Sequence, residues 1–297
     1  LWNGGIRGGA NIEIGSTARI DQVWATTTTA DDLRSAVATG RVAVGGIGQG
    51  PVKGELRVEL VGEGVTATQA VTIHPGMNVL SAAAVIDKPR LWWPVGHGRP
   101  EIYDLRITLT VEDRPVVDQV KTVGFRKIRF DQSPHPQGGR YFALEINDKK
   151  IFCKGGNFVP ADAILVRLDR ARYETLVDRA LESNYNLLRI WGGGLYESDD
   201  LYDICNRRGV MLWQEFIFAC EKYPAWDKRF YDNVTAEAVW QVRRLANHPS
   251  LILWCGNNEI EVMFDLPDKQ DKNCLADYGL YHQLLPSIVK REDGSRF

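Results

Sequence analysis

At 297 residues the chain has room for about two domains. A net charge of −2 offers no basic surface to nucleic acid or an anionic membrane, and no apolar run approaches the ~20 residues that cross a bilayer. The five cysteines (153, 205, 220, 255 and 274) are scattered without a close pair at metal-ligand spacing, and three lie in apolar surroundings, which favours buried thiols over disulfides and speaks against a metal centre.

Residues 1 to about 18 are Gly-rich and begin abruptly, like the tail of a preceding unit. From 19 to about 130 polar and apolar residues alternate with period two. Strands are expected over 19–27, 42–44, 54–60, 67–73, 103–111 and 116–123, with turns at Gly62-Glu63-Gly64, His74-Pro75-Gly76 and Glu112-Asp113. About seven short strands at this spacing suggest an immunoglobulin-like β-sandwich, with no catalytic constellation in it. The stretch 89–100, PRLWWPVGHGRP, has too many prolines and glycines for regular structure, and its tryptophans need a surface. It reads as a loop clamped against a neighbouring domain. Residues 131–139 read as a linker.

The pattern then changes. A hairpin is expected over 141–151 around Asn147-Asp148, and a strand over 151–154 that runs into Gly155-Gly156-Asn157. Helices are expected over 170–183, 199–208, 227–246 and 275–289, with Gly209 ending the second and His248-Pro249 closing the third. Strands over 186–191, 210–216 and 251–259 alternate with them. This is the βα order of a parallel barrel, but it holds four units where a (β/α)₈ barrel needs eight and typically ~250 residues. Half a barrel exposes two strand edges. The fold class expected is therefore multidomain β and α/β: an immunoglobulin-like β-sandwich (19–130), then the first half of a TIM (β/α)₈ barrel (140–297), in an internal piece of a larger protein.

The chemistry gathers at the carboxyl ends of the parallel strands, where such barrels keep their active sites. Leu251, Ile252, Leu253 and Trp254 form a short apolar run, Gly256 breaks it, and Asn257, Asn258 and Glu259 follow at once. Taken alone, an Asn-Glu pair is more readily the first acid of a loop or helix cap, and the rest of the chain shifts that reading. The other strand ends supply Asn157, Arg189 with Trp191, and Trp213 with Glu215. Amides, a guanidinium, indole faces and a carboxylic acid suit a neutral polyol. No glycine loop precedes a Lys-Ser or Lys-Thr pair, which disfavours nucleotide chemistry. Gly192-Gly193-Gly194 could cradle an anion at a helix start or let backbone pass close to Trp191 or a ligand, and the second reading is preferred.

The stretches LRIWGGGLYE (188–197), LWQEF (212–216) with Phe218-Ala219-Cys220, and NHPS (247–250) with WCGNNE (254–259) resemble the β-mannosidases of glycoside hydrolase family 2. LWWP (91–94), VGFR (123–126) and IFCKGGNFVPAD (151–162) are similar in the same order, while Gly156 and Phe158 stand where the family often has Ala and Trp. The resemblance implies hydrolysis of terminal β-D-mannosyl residues with retention, by two glutamates and without metal or cofactor. It implies a jelly-roll domain ending in 1–18. Glu259 would be the general acid/base, and Asn258 would bind the sugar 2-hydroxyl. Arg189 would lie under the nucleophile and Trp191 would wall the sugar site. Asn157 would be a substrate contact, Glu215 a weaker candidate for one and Glu197 and Glu221 weaker still, and each of the three glutamates reads at least as readily as a structural ion pair or cap. The nucleophile would belong to the seventh strand, past residue 297. The partner implied is a β-mannoside oligosaccharide or glycoconjugate, with the remaining half-barrel and the jelly roll supplied by the same polypeptide or a second chain. Kept beside this are an endo-type or other β-glycosidase of the family, a non-catalytic sugar-binding or scaffold piece, and a self-contained Glu215–Glu259 pair.

Overall fold

The computed structural model describes residues 17–263 and 274–296. The expected jelly-roll tail therefore falls almost wholly outside the described residues. Two antiparallel sheets come first. One is β1 (Ala18–Thr29), β2 (Ser35–Gly46) and β5 (Gly76–Asp87). The other has the order β4 (Val65–Ile73), β3 (Val52–Leu60), β6 (Tyr103–Val111), β7 (Arg114–Val123). Period-two alternation drives them together: Tyr103, Leu105, Ile107, Leu109 and Val111 of β6 all point into the shared core, against Leu56, Val58 and Leu60 of β3 and Val42 and Val44 of β2. The sheets approach closely at Gly40, where an added Cβ would stand 2.5 Å from Val58 Cγ1. Strand β5 has no counterpart among the expected strands. Its inward residues Leu80, Ala82, Ala84 and Ile86 alternate with Val79, Ala83 and Val85, which are apolar too, so both faces read alike in sequence.

Residues 131–139 are not a linker between domains. β8 (Ile128–Asp131), β9 (Ala143–Ile146) and β10 (Lys149–Ile151) form an antiparallel meander, and this stretch belongs to the hairpin between β8 and β9. His135 N donates to Gly139 O at 3.0 Å and Tyr141 N to Ser133 O at 2.9 Å. The tight turn at Asn147 and Asp148 has φ of 51° and 66°, the left-handed pair that joins two-residue hairpins. The chain passes from sandwich to meander through Gly124 to Lys127.

Four parallel strands follow in sheet order β11 (Gly155–Phe158), β12 (Leu187–Ile190), β13 (Met211–Glu215), β14 (Leu251–Cys255). The first parallel strand lies later than the expected 151–154. Gly155 pairs with Leu187 so closely that a Cβ would sit 1.8 Å from Leu187 O, so only glycine fits there. Three helices connect the strands: α1 (Arg170–Glu182), α2 (Asp199–Arg208) and α3 (Lys228–Leu245). Each starts on a side-chain cap: Asp169 accepts from Arg172 N, Ser198 from Asp200 N, and Asp227 from Arg229 N and Phe230 N. Gly209, at φ 71°, ends α2. Val177, Leu201, Leu212, Val242 and Trp254 pack the helix side of the sheet. A short helix α4 (Ile260–Met263) follows β14. The last helical run is α5 (Cys274–Gly279), a π-helical stretch Leu280–Leu284, and α6 (Leu285–Glu292).

The loop 89–100 is clamped as its tryptophans require. Trp92 is fully buried among Leu144 and Ile146 of the meander and Met211, Ile252 and Leu253 of the parallel strands. Its Nε1 donates to Asn206 O at 2.9 Å, and its carbonyl accepts from Asn147 Nδ2 at 3.0 Å. Asn206 Oδ1 in turn accepts from Ser250 Oγ (2.7 Å) and Ser250 N (3.2 Å), and its amide nitrogen meets His248 Nδ1 at 2.8 Å. Two buried guanidiniums close the joint on the same turn. Arg126 donates to Pro249 O (2.9 Å) and Leu251 O (3.1 Å); Arg296 donates to Ala246 O (2.8 Å), His248 O (2.7 Å) and Leu251 O (2.6 Å), and pairs with Asp293. Burial pushes Arg126 well below the ordinary guanidinium value, and its acceptors are the carbonyls after the end of α3.

Candidate active site

Alternation along β12 and β13 sends Leu188 and Ile190 to the helix side and Arg189 to the other, where it meets residues from three strands. Its Nε and Nη2 both donate to Glu215 Oε1, at 2.8 and 2.6 Å. Nη1 donates to Asn157 Oδ1 at 2.9 Å, and Nη2 also reaches Asn258 Oδ1 at 2.6 Å. The guanidinium lies 5.4 Å from the centre of the Trp213 ring. One side chain thus ties the carboxyl ends of β11, β13 and β14 to β12. The sequence places Asn157, Arg189, Trp213, Glu215 and Asn258 in one set, and the structure brings the other four around Arg189.

Glu215 holds this cluster from below. Its side chain is 0% exposed, Oε1 is taken by Arg189, and Oε2 accepts from Gly192 N at 2.6 Å. With both oxygens engaged and no exposed surface, it bonds to the site from within. The glycine run is explained by the same contact. A Cβ on Gly192 would stand 2.5 Å from Phe218 O, and one on Gly193 would run into the Trp191 ring at 2.1 Å. Close approach is what the first two glycines serve, and the anion that meets Gly192 N is the chain's own Glu215. Trp191 is half-buried above them, its N bonded to Phe158 O at 3.2 Å and its carbonyl accepting from Gly194 N at 3.0 Å.

Glu259 is exposed at the rim, with φ 62°, a left-handed backbone that non-glycine residues adopt at a cost. Asn258 beside it is buried. The segment is pinned by a parallel bridge to the strand end opposite: Asn258 N donates to Phe218 O (2.9 Å) and Cys220 N to Asn258 O (3.1 Å). Cys220 is itself at φ 53°, its thiol 3.3 Å from Asn258 Nδ2 and 3.6 Å from Glu259 Oε2. No role was read for Cys220 in the sequence. The signal was present, since Phe218-Ala219-Cys220 is part of the quoted motif, but the backbone turn that aims it cannot be read from residue types.

The remaining acidic candidates lie apart from the cluster. Glu197 is buried between helices, where Tyr173 OH donates to it at 2.7 Å and burial raises its carboxyl above the usual range. Glu221 is exposed and accepts from Lys222 N at 2.9 Å. Among the described residues no group of three or more His, Cys, Asp or Glu could hold a metal ion. Cys205 is buried, Cys220 and Cys255 are half-buried and Cys153 is exposed, all as free thiols; the side chain of Cys274 lies outside the described residues. Fewer thiols are fully buried than the apolar sequence context suggested.

Residues 18–126 match the profile described as Glycosyl hydrolases family 2. The whole chain aligns with beta-mannosidase B of Aspergillus terreus at 33% identity over 309 residues, which is 36% of that protein. It aligns with beta-mannosidase B of Thermothelomyces thermophilus at 38% identity over 194 residues, covering 65% of this chain and 23% of that protein. The chain thus spans about a third of the length of the curated relatives it matches end to end. The crystal structure of a beta-D-mannosidase from Dictyoglomus thermophilum superposes with a TM-score of 0.82 at 32% identity, over 94% of this chain and 34% of that one. An exo-chitosanase from Amycolatopsis orientalis shares the fold at 20% identity and a TM-score of 0.75, over 93% of this chain and 31% of that one. By the match over 18–126 and the end-to-end similarity to these beta-mannosidases, the chain belongs to glycosyl hydrolases family 2.

Proposed function

We propose that the chain is the sandwich and the first barrel half of a retaining exo-β-mannosidase, with Glu259 as general acid/base. The observation that carries this is the Arg189 cluster, which joins Asn157, Glu215 and Asn258 at the carboxyl ends of four parallel strands with Glu259 on its rim. The antiparallel sheets are read as immunoglobulin-like, and the parallel sheet as strands one to four of a (β/α)₈ barrel. In support of the second reading, β11 and β14 are edges among the described residues, and an apolar cavity of about 570 Å³ lined by Phe216, Trp254, Tyr281, Leu285 and Val289 opens beside β14.

In this mechanism Glu259 protonates the leaving oxygen while a second carboxylate attacks the anomeric carbon; Glu259 then takes a proton from the water that hydrolyses the covalent intermediate. A retaining pair stands ~5–5.5 Å apart. Glu215 is unsuited to be the nucleophile, because it is sealed from solvent and both of its oxygens are engaged. The nucleophile is assigned to polypeptide outside these 297 residues. Trp191 offers an aromatic wall, Arg189 a fixed positive charge near the reacting centre, and Asn258 a hydrogen-bonding group for the sugar 2-oxygen.

The test is a panel of 4-nitrophenyl glycosides offered to the polypeptide expressed from the whole reading frame. The β-D-mannopyranoside should be cleaved in preference to the β-glucoside, β-galactoside and β-glucuronide, with β-mannose as the first product by NMR. Preference for another sugar would overturn the substrate, and α-mannose as first product would overturn retention.

A further inference from the structure

We propose that Cys220 is a positioning residue of this site: with Arg189 it fixes which way the Asn258 amide faces, and with its one proton it orients the Glu259 carboxyl group. The inference rests on the role proposed above for Glu259 and goes beyond it, since it adds a residue and a polarity to the site.

The argument starts from donors and acceptors. A guanidinium only donates, so the atom of Asn258 that meets Arg189 Nη2 at 2.6 Å is the carbonyl oxygen. The NH₂ of Asn258 must then face the other way, where Cys220 Sγ lies 3.3 Å from Nδ2. A thiol has one proton. Its sulfur accepts from the amide through a lone pair, leaving the S–H to donate to Glu259 Oε2 at 3.6 Å. The three bonds run in one direction: guanidinium to amide, amide to thiol, thiol to carboxyl. Turning the Asn258 amide round would leave Arg189 facing a donor.

The backbone holds this order. Cys220 and Glu259 are both non-glycine residues in left-handed conformations, at φ 53° and 62°. Such positions are strained for residues with a Cβ and persist where the surroundings over-determine them. Here the over-determination is local: Cys220 N bonds to Asn258 O, and Asn258 N to Phe218 O. The left-handed turn at Cys220 aims its thiol back across that bridge. The consequence for recognition is specific. With one N–H of Asn258 spent on sulfur, the amide presents its second N–H to the cleft and no acceptor. The substrate atom seated beside Asn258 must therefore accept a hydrogen bond, as a hydroxyl oxygen does and an ammonium group does not.

The polypeptide from the whole reading frame, its C220A and C220S variants, and two substrates make the test. β-1,4-Mannobiose has a poor leaving group and depends on the acid; 2,4-dinitrophenyl β-mannoside departs without protonation. C220A should lose roughly tenfold or more in kcat/KM on mannobiose and less than about threefold on the dinitrophenyl glycoside, and C220S, which keeps a donor and an acceptor, should recover most of the loss. C220A equal to wild type on both, equal losses on both, or C220S no better than C220A would overturn the role while leaving the β-mannosidase reading intact. A wild type that cleaves no β-mannoside sinks that reading, and this role with it. Should C220A fail to fold, methyl methanethiosulfonate replaces the thiol proton of the folded wild type with an S–CH₃ group. The same selective loss is expected, reversed by dithiothreitol and missing in C220S. Unchanged mannobiose turnover after capping at Cys220, checked by peptide mass spectrometry, would overturn the proposal.

Discussion

Glu215 and Arg189 form a pair in which one partner is sealed and the other faces a cleft, at 0% and 22% side-chain exposure. Removing one member of such a pair strands the other, at a cost of about 3–5 kcal/mol when both are buried and somewhat less here because Arg189 keeps its amide partners. Glu215→Ala should therefore lower stability by roughly 2–4 kcal/mol, read as a shift in the urea midpoint at unchanged slope. A variant within 0.5 kcal/mol of the wild type would show that Glu215 does not hold the cluster together. At Glu259 the prediction concerns chemistry. Glu259→Ala should lose about 10²–10⁴-fold on mannobiose and far less on a dinitrophenyl glycoside; equal losses on both would remove the acid assignment. Residue types and strand ends make Asn157, Arg189, Glu215, Asn258 and Glu259 legible as a set in the sequence. What stayed hidden was who bonds to whom. Arg189 and Glu215 lie on neighbouring strands, but their contact depends on which face each side chain takes and on the register of β12 against β13, which sets Arg189 opposite Trp213. Cys220 was hidden more deeply, because its aim comes from a positive φ.

At the scale of elements, helices were the most legible part. Their ends carry chemistry that the sequence displays: an acidic or hydroxyl cap at Asp169, Ser198 and Asp227, and a left-handed glycine at Gly209. Strands were legible wherever one face is polar. β5 escaped because small apolar residues occupy both of its faces, and β11 was placed early because glycines carry no side-chain signal of burial. The shift of β11 leads to a prediction. Gly155→Ala puts a methyl group 1.8 Å from Leu187 O, a contact that only separation of β11 from β12 can relieve. A loss on the order of 3 kcal/mol is expected, with faster amide exchange along 155–158; unchanged exchange would mean that the strand pairing does not require glycine.

For the whole molecule, the telling group is His248. It is buried against Asn206 and the Tyr202 ring, and it feels Arg244 and Arg296, which oppose its protonation, and Asp199 and Asp203, which favour it. Burial, assisted by the two arginines, lowers its imidazole to about 3. The sign follows from proton counting. Below the ordinary histidine value near 6.5 the unfolded chain takes up a proton that the native state refuses, so stability is lost as pH falls from about 6.5 towards 3. Between pH 6.5 and 5, above the range of ordinary carboxylates, His248→Asn should flatten this loss while retaining an acceptor for Asn206. Glu197 and Glu237, whose carboxyls burial raises, act in the opposite sense in wild type and variant alike, so the difference between the two isolates the imidazole. Stability curves that stay parallel over this window would locate the acid sensitivity elsewhere. The exposed hairpin between β8 and β9 has its own consequence for how the molecule comes apart. Protease should cut most readily within 132–140, and the cut would leave β8 on one fragment and its partner β9 on the other. Trp92, Arg126 and Asn247, which bonds to Thr122 O, would still span the break. The nicked chain should elute as one species on gel filtration and melt in one transition. The two fragments, separated in denaturant and mixed again, should complement each other, as the halves of a split protein do.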